Sequence, residues 1–170
     1  MNTMRLVSLN VNGLKDTEKR SRVFRWLKSL NVHIIYLQET NFDLSDQQLW
    51  EQQWGEQCIF NYFNAILVNS SDLQLSRQVE DMAISPRLLV ARVSSTSNSF
   101  EPFSLGSVYI FAQSADRKLC INVLKEYPEL SLDILVGDCN IIANLILDHS
   151  LGSCTLVERD WPNFREVLQN

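Results

Sequence analysis

Three short stretches of this 170-residue chain place amides and carboxylates where a packed core has no use for them. Asn10 and Asn12 close the alternating segment that starts at Met4, Glu39 stands between Gln38 and Thr40 after the apolar run Val32–Leu37, and Asp138 and Asn140 follow a second apolar run, 134–137. In α/β sheets, ligands gather at the carboxyl ends of strands, so side chains in these places are candidates for chemistry. A carboxylate flanked by amides is a hard-oxygen environment. It suits Mg²⁺, which keeps several waters and takes one or two carboxylates together with a substrate phosphate. Glu39 is the natural ligand in that set. Asp138 has the character of a base that draws a proton from water, with Asn140 two residues on to orient it.

The elements that must position these residues follow from periodicity. Residues 4–11 alternate apolar and polar and then meet the turn dipeptide Asn12-Gly13, which predicts a strand ending in a tight turn. Asp16 or Thr17 caps a predicted helix in which Val23, Phe24, Leu27 and Leu30 recur at helical spacing. The run 32–37 is rich in β-branched residues and predicts a strand buried on both faces. Together these make a βαβ unit. A second unit is predicted from a strand at 106–110, a helix at 114–126 with Leu119, Val123 and Leu124 inward, and a strand at 133–138. Between the units lie a short helix at 45–54, strands at 58–69 and 86–93, and a polar loop at 94–99. The expected class is α/β, with helices covering mixed sheets.

Composition narrows the class. A 45% hydrophobic fraction with 21% charged residues, 5 Gly and 4 Pro predicts one globular domain over 1–170 and excludes collagen-like, low-complexity and disordered chains. No apolar run reaches the roughly 18 residues of a membrane helix, and the start lacks the basic-then-apolar plan of a signal peptide. The expectation is an intracellular protein, nuclear or cytoplasmic, neither secreted nor bound to a membrane. Cys58, Cys120, Cys139 and Cys154 form no CxxC pair and are expected to be free thiols. The net charge of -5 argues against nucleic-acid binding through bulk electrostatics. The distribution is uneven, however: residues 1–35 hold seven basic side chains (Arg5, Lys15, Lys19, Arg20, Arg22, Arg25, Lys28) against Asp16 and Glu18. On the predicted helix 17–28 these basic residues read first as a solvated face.

Taken in order, Ser-Leu-Asn-Val-Asn-Gly-Leu at 8–14, Leu-Gln-Glu-Thr at 37–40, Val-Tyr at 108–109 and Gly-Asp-Cys-Asn at 137–140 resemble the endonuclease/exonuclease/phosphatase superfamily. Within it, they are most similar to the apurinic-type endonuclease domain of LINE-type (non-LTR) retrotransposons. The likeness runs from residue 4 to about 150. It implies a four-layer α/β sandwich, two packed mixed β-sheets with outer helices. It further implies hydrolysis of phosphodiester bonds with Mg²⁺ or Mn²⁺, with DNA as partner. By the family pattern Glu39 binds the metal and Asn10 and Asn12 line its site. Tyr109 contacts the scissile phosphate, Asp138 orients or deprotonates the attacking water, and Asn140 supports Asp138 and the phosphate.

The chain also departs from that pattern. A late Asp and a closing Ser-Asp-His have no counterpart before Asn170. The resemblance therefore implies a single domain incomplete in its C-terminal half, weakly active or inactive in isolation and prone to self-associate through an exposed sheet edge. Residues 147–150, Leu-Asp-His-Ser, read as a loop in which His149 has no catalytic part, and His33 reads as a strand-edge residue. Residues 61–66, Asn-Tyr-Phe-Asn-Ala-Ile, replace a longer stretch holding Ser and Gly, which points to a shortened hairpin. Ile110-Phe111 stands in place of Ala-Pro, and Cys139 in place of an aromatic. Two other functions compete: a non-catalytic module that holds nucleic acid or protein through helix 17–28, and a small-molecule phosphatase of the same superfamily. The wording of the Asn-Val-Asn-Gly-Leu and Gln-Glu-Thr motifs favours the nucleic-acid branch.

Overall fold

Alternation at the start of the chain becomes strand β1 (Leu6–Asn10), and the run after it becomes β2 (Ile34–Gln38), with helix α1 (Thr17–Ser29) between them. The two strands pair in parallel, Leu6 opposite Ile34 through Asn10 opposite Gln38. The computed structural model describes residues 3–78, 86–110, 121–122, 125 and 132–140. The chain divides into two compact units, Met1–Tyr109 with Leu132–Asp138, and Ile110–Ser131 with Cys139–Asn170.

The first unit holds two mixed four-stranded sheets. In one, β2 is followed by antiparallel β4 (Asn64–Val68) and then β3 (Cys58–Phe60), giving the order β1-β2-β4-β3. In the other, β5 (Leu73–Arg77), β6 (Leu88–Ser95) and β7 (Phe103–Tyr109) are antiparallel neighbours, and β8 (Ile134–Asp138) lies parallel to β7. Side chains in a strand alternate between faces. Ile35, Leu37, Ala65 and Leu67 accordingly cluster with Phe24 and Leu27 of α1 and with Trp50 and Trp54 of α2 (Gln47–Trp54). Ile34, Tyr36, Ile66 and Val68 turn the other way, onto Leu89, Ala91, Val93 and Leu105 of the second sheet. Both faces of β2 and β4 are thus covered, as continuous apolar runs require, and each fully buried Leu or Ile contributes about 1.5–3 kcal/mol. Among the described residues helix, sheet and sheet stack, three layers of the expected four-layer α/β sandwich.

Helix α1 begins where Asp16 accepts a 2.6 Å bond from the Lys19 backbone N–H, and Lys28 complements the dipole in its last turn. Its basic residues are not one solvated face. Arg20 is 1% exposed. Its guanidinium lies 4.8 Å from the Trp50 ring and donates to the Leu14 carbonyl at 2.9 Å and to Gln53 Oε1 at 2.5 Å. A planar, weakly hydrated cation can be buried in this way when its donors find acceptors and its face an aromatic ring. Burial lowers the Arg20 pKa from its ordinary value, against the raising effect of Asp46 and Asp16.

Other local differences from the sequence pattern have simple causes. The expected strand 58–69 is β3 and β4 joined by a tight turn, in which the Asn61 side chain accepts from the backbone N–H groups of Phe63 and Asn64 at 3.1 and 2.8 Å. β5 escaped notice because Gln74 and Ser76 leave only Leu73 and Leu75 as apolar signal. β6 continues into the expected loop because Asp72 accepts hydroxyl bonds from Ser95 and Thr96 at 3.1 and 2.8 Å, which satisfies the polar strand end. The helix expected at 114–126 falls mostly outside the described residues, of which 121, 122 and 125 are helical. Residues 147–150 fall outside them too. Among the described residues no helix is long and apolar enough to cross a membrane.

Candidate functional site

Asn10, at the carboxyl end of β1, organises the site. Its Oδ1 accepts the Asn12 backbone N–H at 3.0 Å, which fixes which way the amide points. Its Nδ2 then donates two bonds, to Glu39 Oε1 and to Asp138 Oδ2, each 2.9 Å. Both carboxylate oxygens lie 2.9 Å from one nitrogen, so they are separated by at most twice that distance, 5.8 Å. One carboxylate comes from the end of β2 and the other from the end of β8, in different sheets. The amide is therefore the joint between the two sheets at this point.

The loop after β1 is held from several sides. The Val11, Gly13 and Leu14 N–H groups donate to the carbonyls of Gln38, Glu39 and Thr40 at 3.0, 2.7 and 2.9 Å. Lys19 Nζ reaches back from α1 and donates to the carbonyls of Val11 and Asn12, both at 2.8 Å. Gly13 takes φ +80°, and a Cβ there would stand 3.2 Å from Asn41 Nδ2. Glu39 itself has φ +55°, a left-handed conformation that costs a residue with a Cβ about 1–2 kcal/mol. Strain of this kind concentrates at functional sites, where surrounding bonds over-determine it.

Tyr109 ends β7 in register with Asp138 and is 8% exposed. Its hydroxyl hydrogen-bonds to Glu39. Burial, then that bond, then the charges of Glu39 and Asp138 push the phenol up to about 12, while Arg87 opposes the shift. At neutral pH the phenol is therefore protonated and acts as donor to the Glu39 carboxylate. Asn10, Glu39 and Asp138, which the strand-end reading singled out, meet here, together with Tyr109, which only the resemblance named. Asn12 enters through its backbone N–H and carbonyl, its φ being +47°. Asn140, at φ +45°, belongs to the second unit, where its Nδ2 donates to the Ile110 carbonyl at 2.8 Å.

Two residues were missed from sequence. Lys19 looked like one more charge on a basic helix, and Arg87 sits on a turn with no motif around it. His33 is where the strand-edge reading put it, its Nδ1 accepting the Arg5 N–H at 2.9 Å beside the amino end of β1. Cys58 is a free thiol, which burial, with Glu51, pushes up to about 12; Cys120 and Cys154 lie outside the described residues. Among the described residues no three His, Cys, Asp or Glu side chains gather into a metal cluster. Glu39 and Asp138 nonetheless fit a divalent cation by their chemistry. Two hard carboxylates held within 5.8 Å of each other repel, and a strongly hydrated cation with substrate oxygens completing its shell relieves that repulsion.

No family model matches the chain, and no curated protein matches it by sequence. Solved structures do. The endonuclease domain of TRAS1, a telomere-specific non-LTR retrotransposon, superposes with a TM-score of 0.65 at 12% identity, covering 98% of this chain and 71% of that one. A D. rerio TDP2 humanized by 14 mutations gives 0.58 at 20%, covering 82% and 67%. The 3'-5' exonuclease NExo of Neisseria meningitidis gives 0.59 at 18%, covering 98% and 71%. These proteins share the endonuclease/exonuclease/phosphatase fold, and this chain has that fold.

Proposed function

We propose that the chain is a Mg²⁺- or Mn²⁺-dependent phosphodiester hydrolase acting on DNA, of the retrotransposon endonuclease type, with low intrinsic turnover. One observation carries the reading: a single Asn10 amide ties Glu39 and Asp138 together at the carboxyl ends of strands from both sheets, with the Tyr109 hydroxyl on Glu39. The likeness to the TRAS1 endonuclease domain over 98% of the chain, together with the motifs at 8–14 and 37–40, supports the DNA branch.

In this reading Glu39, with Asn10 beside it, holds the cation and Asp138 takes the proton of the attacking water. Asn10 keeps the two carboxylates apart in role by bonding an oxygen of each. Tyr109 holds Glu39 in place and presents a neutral phenol toward the phosphate. When bound, the cation supplies Lewis-acid polarisation of the phosphoryl oxygen and offsets the charge that builds there. Low turnover is proposed because the closing Ser-Asp-His of the family pattern has no counterpart in residues 1–170. Loss of one donor to the developing charge typically costs about 10² to 10³ in rate.

The test is nicking of supercoiled plasmid and hydrolysis of bis(p-nitrophenyl) phosphate with Mg²⁺ or Mn²⁺. Slow, metal-dependent cleavage abolished by Glu39→Gln and by Asp138→Asn is the expected result. Cleavage that survives either substitution, or no hydrolysis of either substrate, rejects the assignment.

A further inference from the structure

Beside the carboxylate cluster lies an exposed aromatic ring that the chemistry above does not use. Tyr62 is 43% exposed, although it occupies a turn that is otherwise pinned. Asn61, itself buried, accepts from the N–H groups of Phe63 and Asn64 and donates to the Leu88 carbonyl at 3.0 Å. The Tyr62 carbonyl accepts the Phe42 N–H at 2.9 Å and the Thr40 hydroxyl at 3.2 Å, and the Phe63 carbonyl accepts the Thr40 N–H at 3.1 Å. The ring therefore sits on backbone bonded directly to the residue after Glu39.

The Tyr62 ring packs edge-on to Phe63 at 4.7 Å, and Phe63 lies 5.5 Å from Tyr109, whose hydroxyl meets Glu39. Lys15 Nζ stands 6.0 Å from the Tyr62 ring centroid, and Lys15 follows Leu14, whose N–H donates to the Thr40 carbonyl. An exposed hydrophobic residue alone needs no explanation. A rigidly mounted ring with a cation over it, one packed aromatic away from the Tyr109 phenol, is different. It matches the way single strands are held, with a base stacked on an aromatic face and a basic side chain on the backbone.

We infer that Tyr62 and Lys15 form a stacking subsite for one nucleobase of a nucleic-acid strand whose phosphate lies at Glu39 and Asp138. The choice of occupant rests on the hydrolase reading, whereas the contact itself does not require hydrolysis. The ring's π-face accepts any base, so the subsite holds the strand without reading its sequence. Lys15 contributes one phosphate contact and its salt dependence.

The experiment uses the full chain and a single-stranded oligonucleotide carrying 2-aminopurine, titrated in EDTA so that nothing is cut. Wild type should quench the fluorophore. Tyr62→Ala should lose the quench and bind roughly tenfold more weakly, Tyr62→Trp should retain both, and Lys15→Gln should lower the slope of log affinity against log salt by about 1. Circular dichroism of each variant confirms the fold, and Tyr62→Trp keeps the result interpretable if Tyr62→Ala unfolds. Equal quenching by wild type and Tyr62→Ala overturns the subsite, as does a folded wild type that binds no oligonucleotide. Hydrolysis of bis(p-nitrophenyl) phosphate without quenching removes the subsite and leaves the hydrolase. Quenching without hydrolysis does the reverse.

Discussion

Position 39 offers a comparison in which the usual ranking of two residues should invert. At an ordinary position glycine is less stable than alanine by roughly 0.5–1 kcal/mol, because the unfolded chain gains freedom that folding must remove. Glu39 stands at φ +55°, where a Cβ costs about 1–2 kcal/mol and glycine costs nothing. Glu39→Gly and Glu39→Ala both lose the bonds from Asn10 and Tyr109, and both remove one negative charge beside Asp138. These losses cancel in the comparison. What remains favours Gly over Ala by roughly 0.5–1 kcal/mol, or about 1–4 °C in melting temperature for a chain of this size. Urea unfolding followed by circular dichroism and tryptophan fluorescence measures the difference, and equal m-values confirm that one transition is being compared. An alanine variant as stable as the glycine variant would refute the claim that the fold holds this backbone in the left-handed region. It would also remove strain as a mark of the site.

Other perturbations read other parts of the arrangement. The folded Tyr109 phenol, at about 12, lies above its ordinary value near 10. Its contribution to stability is therefore complete below about pH 10 and lost as pH rises toward 12. Wild type should lose urea stability more steeply than Tyr109→Phe between about pH 9 and pH 12, and parallel curves would show that Tyr109 does not carry the shift. Lys19→Met removes two bonds to the carbonyls of Val11 and Asn12 and should cost about 1–2 kcal/mol, with Lys19→Arg recovering part. The Asn10 side-chain amide signals in a ¹⁵N spectrum should shift in the methionine variant, and unchanged signals with unchanged stability would deny the clamp. Gly137→Ala puts a Cβ onto the carbonyl oxygen of Val108, so β7 and β8 must part. A loss above about 4 kcal/mol, seen as insoluble expression or lost dichroism, is expected, and a soluble variant of wild-type stability would contradict the pairing.

Much of the architecture was legible in order along the chain. The alternation before Asn12-Gly13, the helical spacing of Phe24 and Leu27, and the β-branched run before Gln38 each encode a local preference strong enough to survive folding. Together they predicted the parallel βαβ unit. Glu39 and Asp138 were legible as carboxylates that directly follow or end apolar runs, a short-range feature of the sequence. The burial of Arg20 was not legible, because it depends on the Trp50 face and the Leu14 carbonyl arriving from other elements. Lys19 looked like a solvated charge until the loop after β1 folded under it. Tyr62 and Lys15 are 47 positions apart in sequence, and no periodicity relates them. The meeting of Asn10 with Asp138 spans 128 residues and two sheets, a distance over which local propensity carries no information. Sequence determined which strand ends carry carboxylates and amides, because that is a property of short-range pattern. Only tertiary structure decided which of those ends share one amide, because that depends on how two sheets pack.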